Sequence, residues 1–226
     1  MASEPAVQGW SEHDAALWHT CDLATAVLTG SIAARAPLAS PFPPQLATGE
    51  LLLVHGGFEL STYRPLPAAA APAAGSSFLA TGRVGLALTA GAAVARASAE
   101  RRRREAEAEA SRPRWVVDDV GGLWVSTAGF YLETDRGLHP RAWESVRSMV
   151  LHAPGVVQLH LTSTTGETSW LVRSHWAELM LVLWALAVHP AHPSLVGAAW
   201  LPEGFVDRCA AAGYAARTPR LTGQDG

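Results

Sequence analysis

Histidines are the first residues to weigh for chemistry, because the chain has nine of them. His189-Pro190-Ala191-His192-Pro193 sets two imidazoles three positions apart, but the prolines remove the regular helix that would bring both onto one face. His152 and His160 flank a turn, and a hairpin there would let them approach each other. A zinc-type centre needs three or four ligands. Neither pair has a Cys or a carboxylate near it in sequence, and no His-Glu-x-x-His occurs. These histidines read as surface or partly buried structural residues, and neither a metal nor a cofactor is expected.

Nucleophilic and acid–base candidates are equally sparse. Cys21 and Cys209 are too few for a disulfide framework or a Cys-based zinc site. Cys21 falls on the apolar stripe of a predicted helix, where a small buried thiol is the expected state. Asp118 and Asp119 are neighbours, and neighbours on a strand face opposite sides; a hairpin turn suits them better than a carboxylate pair. Gly-x-Ser-x-Gly and Gly-x-Gly-x-x-Gly are both absent. All 17 basic residues are Arg. Without Lys there is no P-loop Lys, Schiff-base Lys or kinase-type strand Lys, so anion recognition would fall to Arg forks or backbone N–H groups. No catalytic residue is assigned from the sequence.

One stretch concentrates charge. Arg101-Arg102-Arg103-Arg104 is followed by Glu105, Glu107 and Glu109, which places Arg101 with Glu105 and Arg103 with Glu107 at helical spacing. The plain expectation is a solvated, self-neutralised helix face. The functional alternative adds Arg83 and Arg96 and lays Phe78–Ala95 on an anionic membrane surface, where each Arg contributes ~1 kcal/mol. The net charge of -3 argues against nucleic acid as a partner.

The elements that would position these groups follow from periodicity. Ser11 is a suitable N-cap for a helix running to about Arg35, with Glu12 and Asp14 in its first turn and Leu17, Cys21, Ala24, Leu28 and Ile32 on one face. A Pro-rich connector ends this N-terminal segment, residues 1–48. Within 49–76, Leu51–His55 and Phe58–Tyr63 read as two strands joined by a Gly56-Gly57 turn, with a Pro/Ala-rich loop after them. Residues 77–112 read as a long Ala/Gly–Arg helix, closed by Pro113.

Residues 113–190 are the organising stretch. Strands are predicted around Trp115–Asp119, Leu123–Ser126, Phe130–Glu133, Trp143–Leu151, Val156–Thr162 and Thr168–Arg173, punctuated by Gly-containing turns. Val157, Leu159 and Leu161 face one way and Gln158, His160 and Thr162 the other, the pattern of a half-buried antiparallel strand. A helix opened by Ser174 runs to about Val188. It is apolar nearly all round, so it needs cover on a second side from the Ala/Gly helix, the N-terminal helix or another subunit. Residues 191–226 form a tail in which Trp200–Tyr214 packs back. Trp115, Trp124, Trp170 and Trp184 are assigned to packing.

The fold class is therefore α+β, with an antiparallel sheet or partly open barrel capped by a C-terminal helix. The strand run, the turn-and-strand pattern Gly121–Leu132 and the closing Ser174–Leu179 helix resemble bacterial pleckstrin-homology-like (GRAM-like) domains. Arg101–Trp115 is similar to the Arg-rich segment and Pro-Arg-Trp that precede such a domain in actinobacterial proteins. That resemblance implies a non-catalytic module for headgroups, peptides or protein partners. The basic strand-loop of the lipid readers has no match, since Val116–Val125 carries Asp118 and Asp119.

The expected protein is thus a cytoplasmic interaction or scaffolding module with a protein partner. The alternative is a peripheral adaptor on anionic lipid; a homodimer stays open. No signal peptide is visible, and Val84–Ala95 and Leu179–Val188 fall short of the ~20 residues of a span. An enzyme would require a concave pocket with convergent polar groups and shifted pKa values.

Overall fold

The computed structural model describes residues 10–35, 38–39, 46–65, 98–106, 108, 111–163, 166–216 and 218–219. The chain divides into two compact units, Met1–Thr62 with Val117–Gly226, and Tyr63–Val116. The first holds nearly all of a seven-stranded sheet: β1 (Leu52–Arg64), β2 (Arg114–Ser126), β3 (Gly129–Thr134), β4 (Gly137–Ala142), β5 (Val146–Ala153), β6 (Val156–Ser163) and β7 (Gly166–Arg173). Their spatial order is β4-β3-β2-β1-β7-β6-β5. The fold is α+β, an antiparallel sheet curled into a half-barrel, with four helices among the described residues. The helices are α1 (Glu12–Leu28), α2 (residues 98–106), α3 (Ala177–Val188) and α4 (Phe205–Ala211).

The core forms where the apolar faces of the strands meet α3. Leu123 and Val125 of β2, Phe130 and Leu132 of β3, Met149 of β5, and Val157, Leu159 and Leu161 of β6 are buried in one cluster with residues of α3. The alternation read along β6 holds, with Gln158 and His160 only half-buried on the other face. Every residue of α3 from Ala177 to Ala185 is buried. Its second side is covered by α1, whose Leu17, Cys21 and Ala24 join the same cluster. Cover from within the chain leaves the apolar girth of α3 no basis for arguing a dimer. The tail returns as expected: Trp200, Phe205 and Cys209 are buried, Trp18 Nε1 donates to Ala215 O at 3.0 Å, and Trp10 stacks on Tyr214.

Ser11 caps α1 through a capping box with Asp14, but the helix stops at Leu28 rather than near Arg35. Gly30 takes φ +69°, the left-handed conformation that terminates helices, and a single 3₁₀ turn, Ile32–Ala34, follows. Ser174 is not the N-cap of α3. It sits in the turn before the helix, donating to Gly57 O at 2.8 Å and accepting from Trp176 N.

Three strand assignments are corrected. Gly56-Gly57 is not a turn: β1 runs straight through it. A Cβ at Gly56 would lie 2.6 Å from Trp176 Nε1, so this glycine admits the indole, which donates to His55 O. Gly121-Gly122 is not a turn either, and the two expected strands around it are one, β2. A Cβ at Gly121 would fall 2.0 Å from Glu133 O on β3. Asp118 and Asp119 accordingly lie on a strand: Asp118 accepts from Thr62 Oγ1, and Asp119 faces Arg136 at 3.9 Å.

The third correction concerns β4, which the periodicity missed because Pro140 interrupts it, and residues 143–145, which form a 3₁₀ turn before β5. Pro140 is tolerated because β4 is an edge strand. The other edge, β5, carries register shifts between Val146 and Ser148 and between Leu151 and Ala153. Proline on one edge and irregular pairing on the other discourage edge-to-edge association.

A second, smaller cluster of Leu52, Trp124 and Tyr131 packs with Leu138. Glu50 ties it down by accepting from Tyr131 Oη at 2.8 Å and from Ser126 Oγ. Burial and the Glu50 carboxylate push the Tyr131 phenol up to about 12.

In the second unit, α2 is helical as expected, and the Tyr63 and Trp115 rings lie 5.4 Å apart. Arg83, Arg96 and the rest of the expected Ala/Gly helix before residue 98 lie outside the described residues.

Candidate functional site

The residues singled out from the sequence do not converge. Arg101, Arg102, Arg103 and Arg104 are exposed along α2. Arg101 pairs with Glu105 at 2.8 Å as its spacing foretold, and Arg104 pairs with Glu100 at 3.3 Å. Exposed i,i+4 pairs of this kind contribute ~0.3–0.5 kcal/mol each. Arg102 Nε donates to Ser98 O. The side chain of Glu107, expected opposite Arg103, is outside the described residues.

His152 and His160 are not brought together. His160 is opposite Ser148, four residues from His152 along β5, and bonds Ser169 Oγ through Nδ1 at 2.8 Å. His189 and His192 both pack edge-on to the buried Trp184, at centroid distances of 5.0 and 5.4 Å. Burial and then His189 push the His192 imidazole down. Among the described residues, no group of three or more His, Cys, Asp or Glu is placed to hold a metal ion. Cys21 is in the core, where burial pushes its thiol up to about 12. Trp184 and Trp124 are buried packing residues as expected; Trp115 and Trp170 are half-buried, and Trp170 lies under the Arg141 guanidinium.

What the fold does assemble is a cleft of about 570 Å³ at one end of the half-barrel, lined by Glu12, His13, Gly57, Pro154, Gly155, Arg173, Ser174 and His175. Four pieces of chain meet there: the first turn of α1, the middle of β1, the β5–β6 turn and the β7–α3 junction. Gly155 has φ +70° in that turn, so a left-handed residue sets the cleft floor. Ser174 N donates to Gly155 O at 2.9 Å and closes the junction against it.

Behind the wall of the cleft lies Glu178, with no exposed side-chain area. Its Oε1 accepts from Gly155 N at 2.7 Å and stands 3.4 Å from His13 Nε2. That second contact is not a well-aligned hydrogen bond and becomes an ion pair when His13 is protonated; Oε2 has no hydrogen-bond partner among the described residues. A buried carboxylate needs compensation; one backbone N–H supplies part of it, and the His13 imidazole supplies more when it is protonated. The Glu178 contact raises the His13 imidazole above its usual range, against the cost of burial; Glu178 and Asp14 charges add to the rise and Arg208 opposes it.

The surrounding charges are paired more loosely: His175 Nε2 is 3.6 Å from Glu12 Oε2, and Arg173 Nε is 3.7 Å from Glu59 Oε1. The His13 and His175 rings lie 6.0 Å apart. Asp14, next to His13, is buried, but its Ser11 bonds and Arg208 at 2.9 Å outweigh that burial and hold its carboxyl below the usual range.

Chemically, the cleft presents one buried titratable pair and two looser ones. It can bind polar or charged groups, and it can couple such binding to protonation. Ser174 Oγ is committed to Gly57 O and is not positioned as a nucleophile toward His13. Neither His13 nor Glu178 was found from periodicity. The available signal was Glu178 itself, the single charged residue in an otherwise apolar helix; its partner is 165 positions away and invisible to spacing. No protein-family model matches the chain, and no curated protein matches its sequence.

Proposed function

We propose that the chain is a non-catalytic interaction module of pleckstrin-homology-like type, working as a cytoplasmic scaffold. The observation that carries this is the strand order, a β1–β4 meander joined through β1 to a β7-β6-β5 meander, with a helix following directly on β7 and packing onto β5 and β6. In this reading α3 is the cap of the half-barrel, and the cleft of His13, Arg173 and His175 is the recognition surface for a protein partner. Support for that choice comes from the cleft's concavity and its mixture of cationic and anionic rim groups.

A photo-crosslinking residue placed at His175, on the cleft rim, tests this in cells, with the exposed Val206 of α4, which does not line the cleft, as a control. A discrete protein adduct from position 175 that is absent from position 206 is expected. No adduct, or the same adducts from both positions, would refute the cleft as the recognition surface.

The membrane alternative rests on Arg83, Arg96 and Arg101–Arg104. On α2 it must overcome the ion pairs that Arg101 and Arg104 already make with Glu105 and Glu100. Among the described residues, no helix is long and apolar enough to cross a membrane.

A further inference from the structure

We propose that His13 and Glu178 form a protonation-controlled latch that clamps α1 onto the β5–β6 turn and α3, and that opens as the solution becomes alkaline. Three elements meet at one carboxylate. Glu178 belongs to the first turn of α3, Gly155 N at 2.7 Å belongs to the β5–β6 turn, and His13 at 3.4 Å belongs to α1. Glu178 has no exposed area, whereas the His13 side chain is 22% exposed on the cleft wall. The proton that decides the charge balance of the buried carboxylate therefore sits on the one partner that solvent can reach. Neutral His13 would take away the positive charge beside an ionised Glu178, and an uncompensated buried charge is strongly destabilising.

The direction follows from linkage. His13 titrates above its usual value in the folded protein. The stabilisation is complete below the ordinary histidine range and is lost as pH rises through the raised value. Other charged groups face the latch from each neighbouring element. Glu12 and Asp14 lie on α1, His175 on the β7–α3 junction, Arg173 on β7 and Arg208 on α4. Of these, Asp14 is held by Arg208 and titrates on the acid side. His175 pairs with the exposed Glu12 rather than with Glu178, so it serves as the control.

Opening would bare the side of α3 that α1 covers, together with Cys21 and Leu17. Hydrogen exchange resolved by mass spectrometry reads this directly, because local opening of one helix is separable from global unfolding. After correction for intrinsic exchange, α1 amides in the full chain should lose protection by at least about threefold between pH 6 and pH 8.5 relative to β6. Glu178→Gln, which keeps an acceptor for Gly155 N–H, and His13→Gln should each abolish that difference, and His175→Asn should retain it. An unchanged α1 in the wild type overturns the proposal, as does a difference that survives either His13→Gln or Glu178→Gln. If Glu178→Gln fails to fold, His13→Gln decides alone, since a partly exposed site accepts the substitution.

Discussion

Replacing Gly121 by Ala should unzip one end of the β2–β3 pairing, while the same replacement at Gly57 should leave the sheet intact. The new Cβ at Gly121 would lie 2.0 Å from Glu133 O, 3.1 Å from Glu133 C and 3.3 Å from Phe58 Cε1, where ordinary contact begins at 3.4 Å. The first two are backbone atoms of the neighbouring strand, so no side-chain rotation relieves the overlap. β2 and β3 must part where Gly122 opposes Glu133. One or two ladder hydrogen bonds at ~1 kcal/mol each, with about 1–2 kcal/mol of core strain, give a loss of about 2–4 kcal/mol.

At Gly57 the nearest atom to a Cβ would be Gly121 O at 3.9 Å, and φ is not positive. Gly57→Ala should therefore gain ~0.5 kcal/mol from reduced chain entropy. Urea unfolding followed by the fluorescence of the nine Trp residues and by far-UV circular dichroism measures both. With a slope of ~2 kcal/mol/M, Gly121→Ala lowers the midpoint by about 1–2 M and Gly57→Ala raises it slightly. A Gly121→Ala protein within ~0.5 kcal/mol of wild type would refute the close-approach account. So would a Gly57→Ala protein that falls with it, which is the result a Gly56-Gly57 turn would produce.

Asp14→Ala removes the capping box and the Arg208 pair and should cost about 1–2 kcal/mol at neutral pH. Because that carboxyl titrates below its usual value when folded, its contribution is present above the ordinary carboxylate range and is lost as pH falls through the depressed value. Urea midpoints at pH 7 and pH 3 should show the gap between wild type and variant closing at the lower pH. Cys21 and Cys209, both buried, should resist iodoacetamide at neutral pH while the urea-unfolded chain is labelled fully. Rapid native labelling would contradict the packing of α1 on α3. Under the scaffold reading, the purified protein should not co-sediment with anionic or neutral liposomes at low salt. Sedimentation that needs anionic lipid, falls with salt and disappears when Arg101, Arg102, Arg103 and Arg104 are replaced by Gln would support the membrane adaptor instead.

Local rules were sufficient wherever local physics decides. Ser11 announced itself as the N-cap of α1, with Glu12 and Asp14 in the first turn, because a cap and its helix lie within one turn; the reciprocal Asp14 bond of the capping box came with the structure. Val157, Leu159 and Leu161 announced the buried face of β6 because a strand alternates sides every residue. The nearly all-apolar α3 announced that it needed two covers, and Arg101 announced its pairing with Glu105. Each of these depends on residues a few positions apart, which is the range over which side chains on one element meet.

Tertiary structure decided the remainder. Gly56 and Gly121 carry the residue type of a turn, and their role as points of close approach is set by Trp176 and by Glu133 O, brought in from other elements. Pro140 would break a central strand and is harmless in β4 because that strand is at the edge of the sheet, a position defined by order in space. Which element covers α3 was open among three candidates, and the return of α1 onto it chose one. Glu178 could be recognised in the sequence as an anomaly, but what an ionised carboxylate costs inside a protein depends on the donors around it. Gly155 N–H becomes such a donor, and His13 the imidazole beside it, only after the β5–β6 turn and α1 have been folded against the first turn of α3.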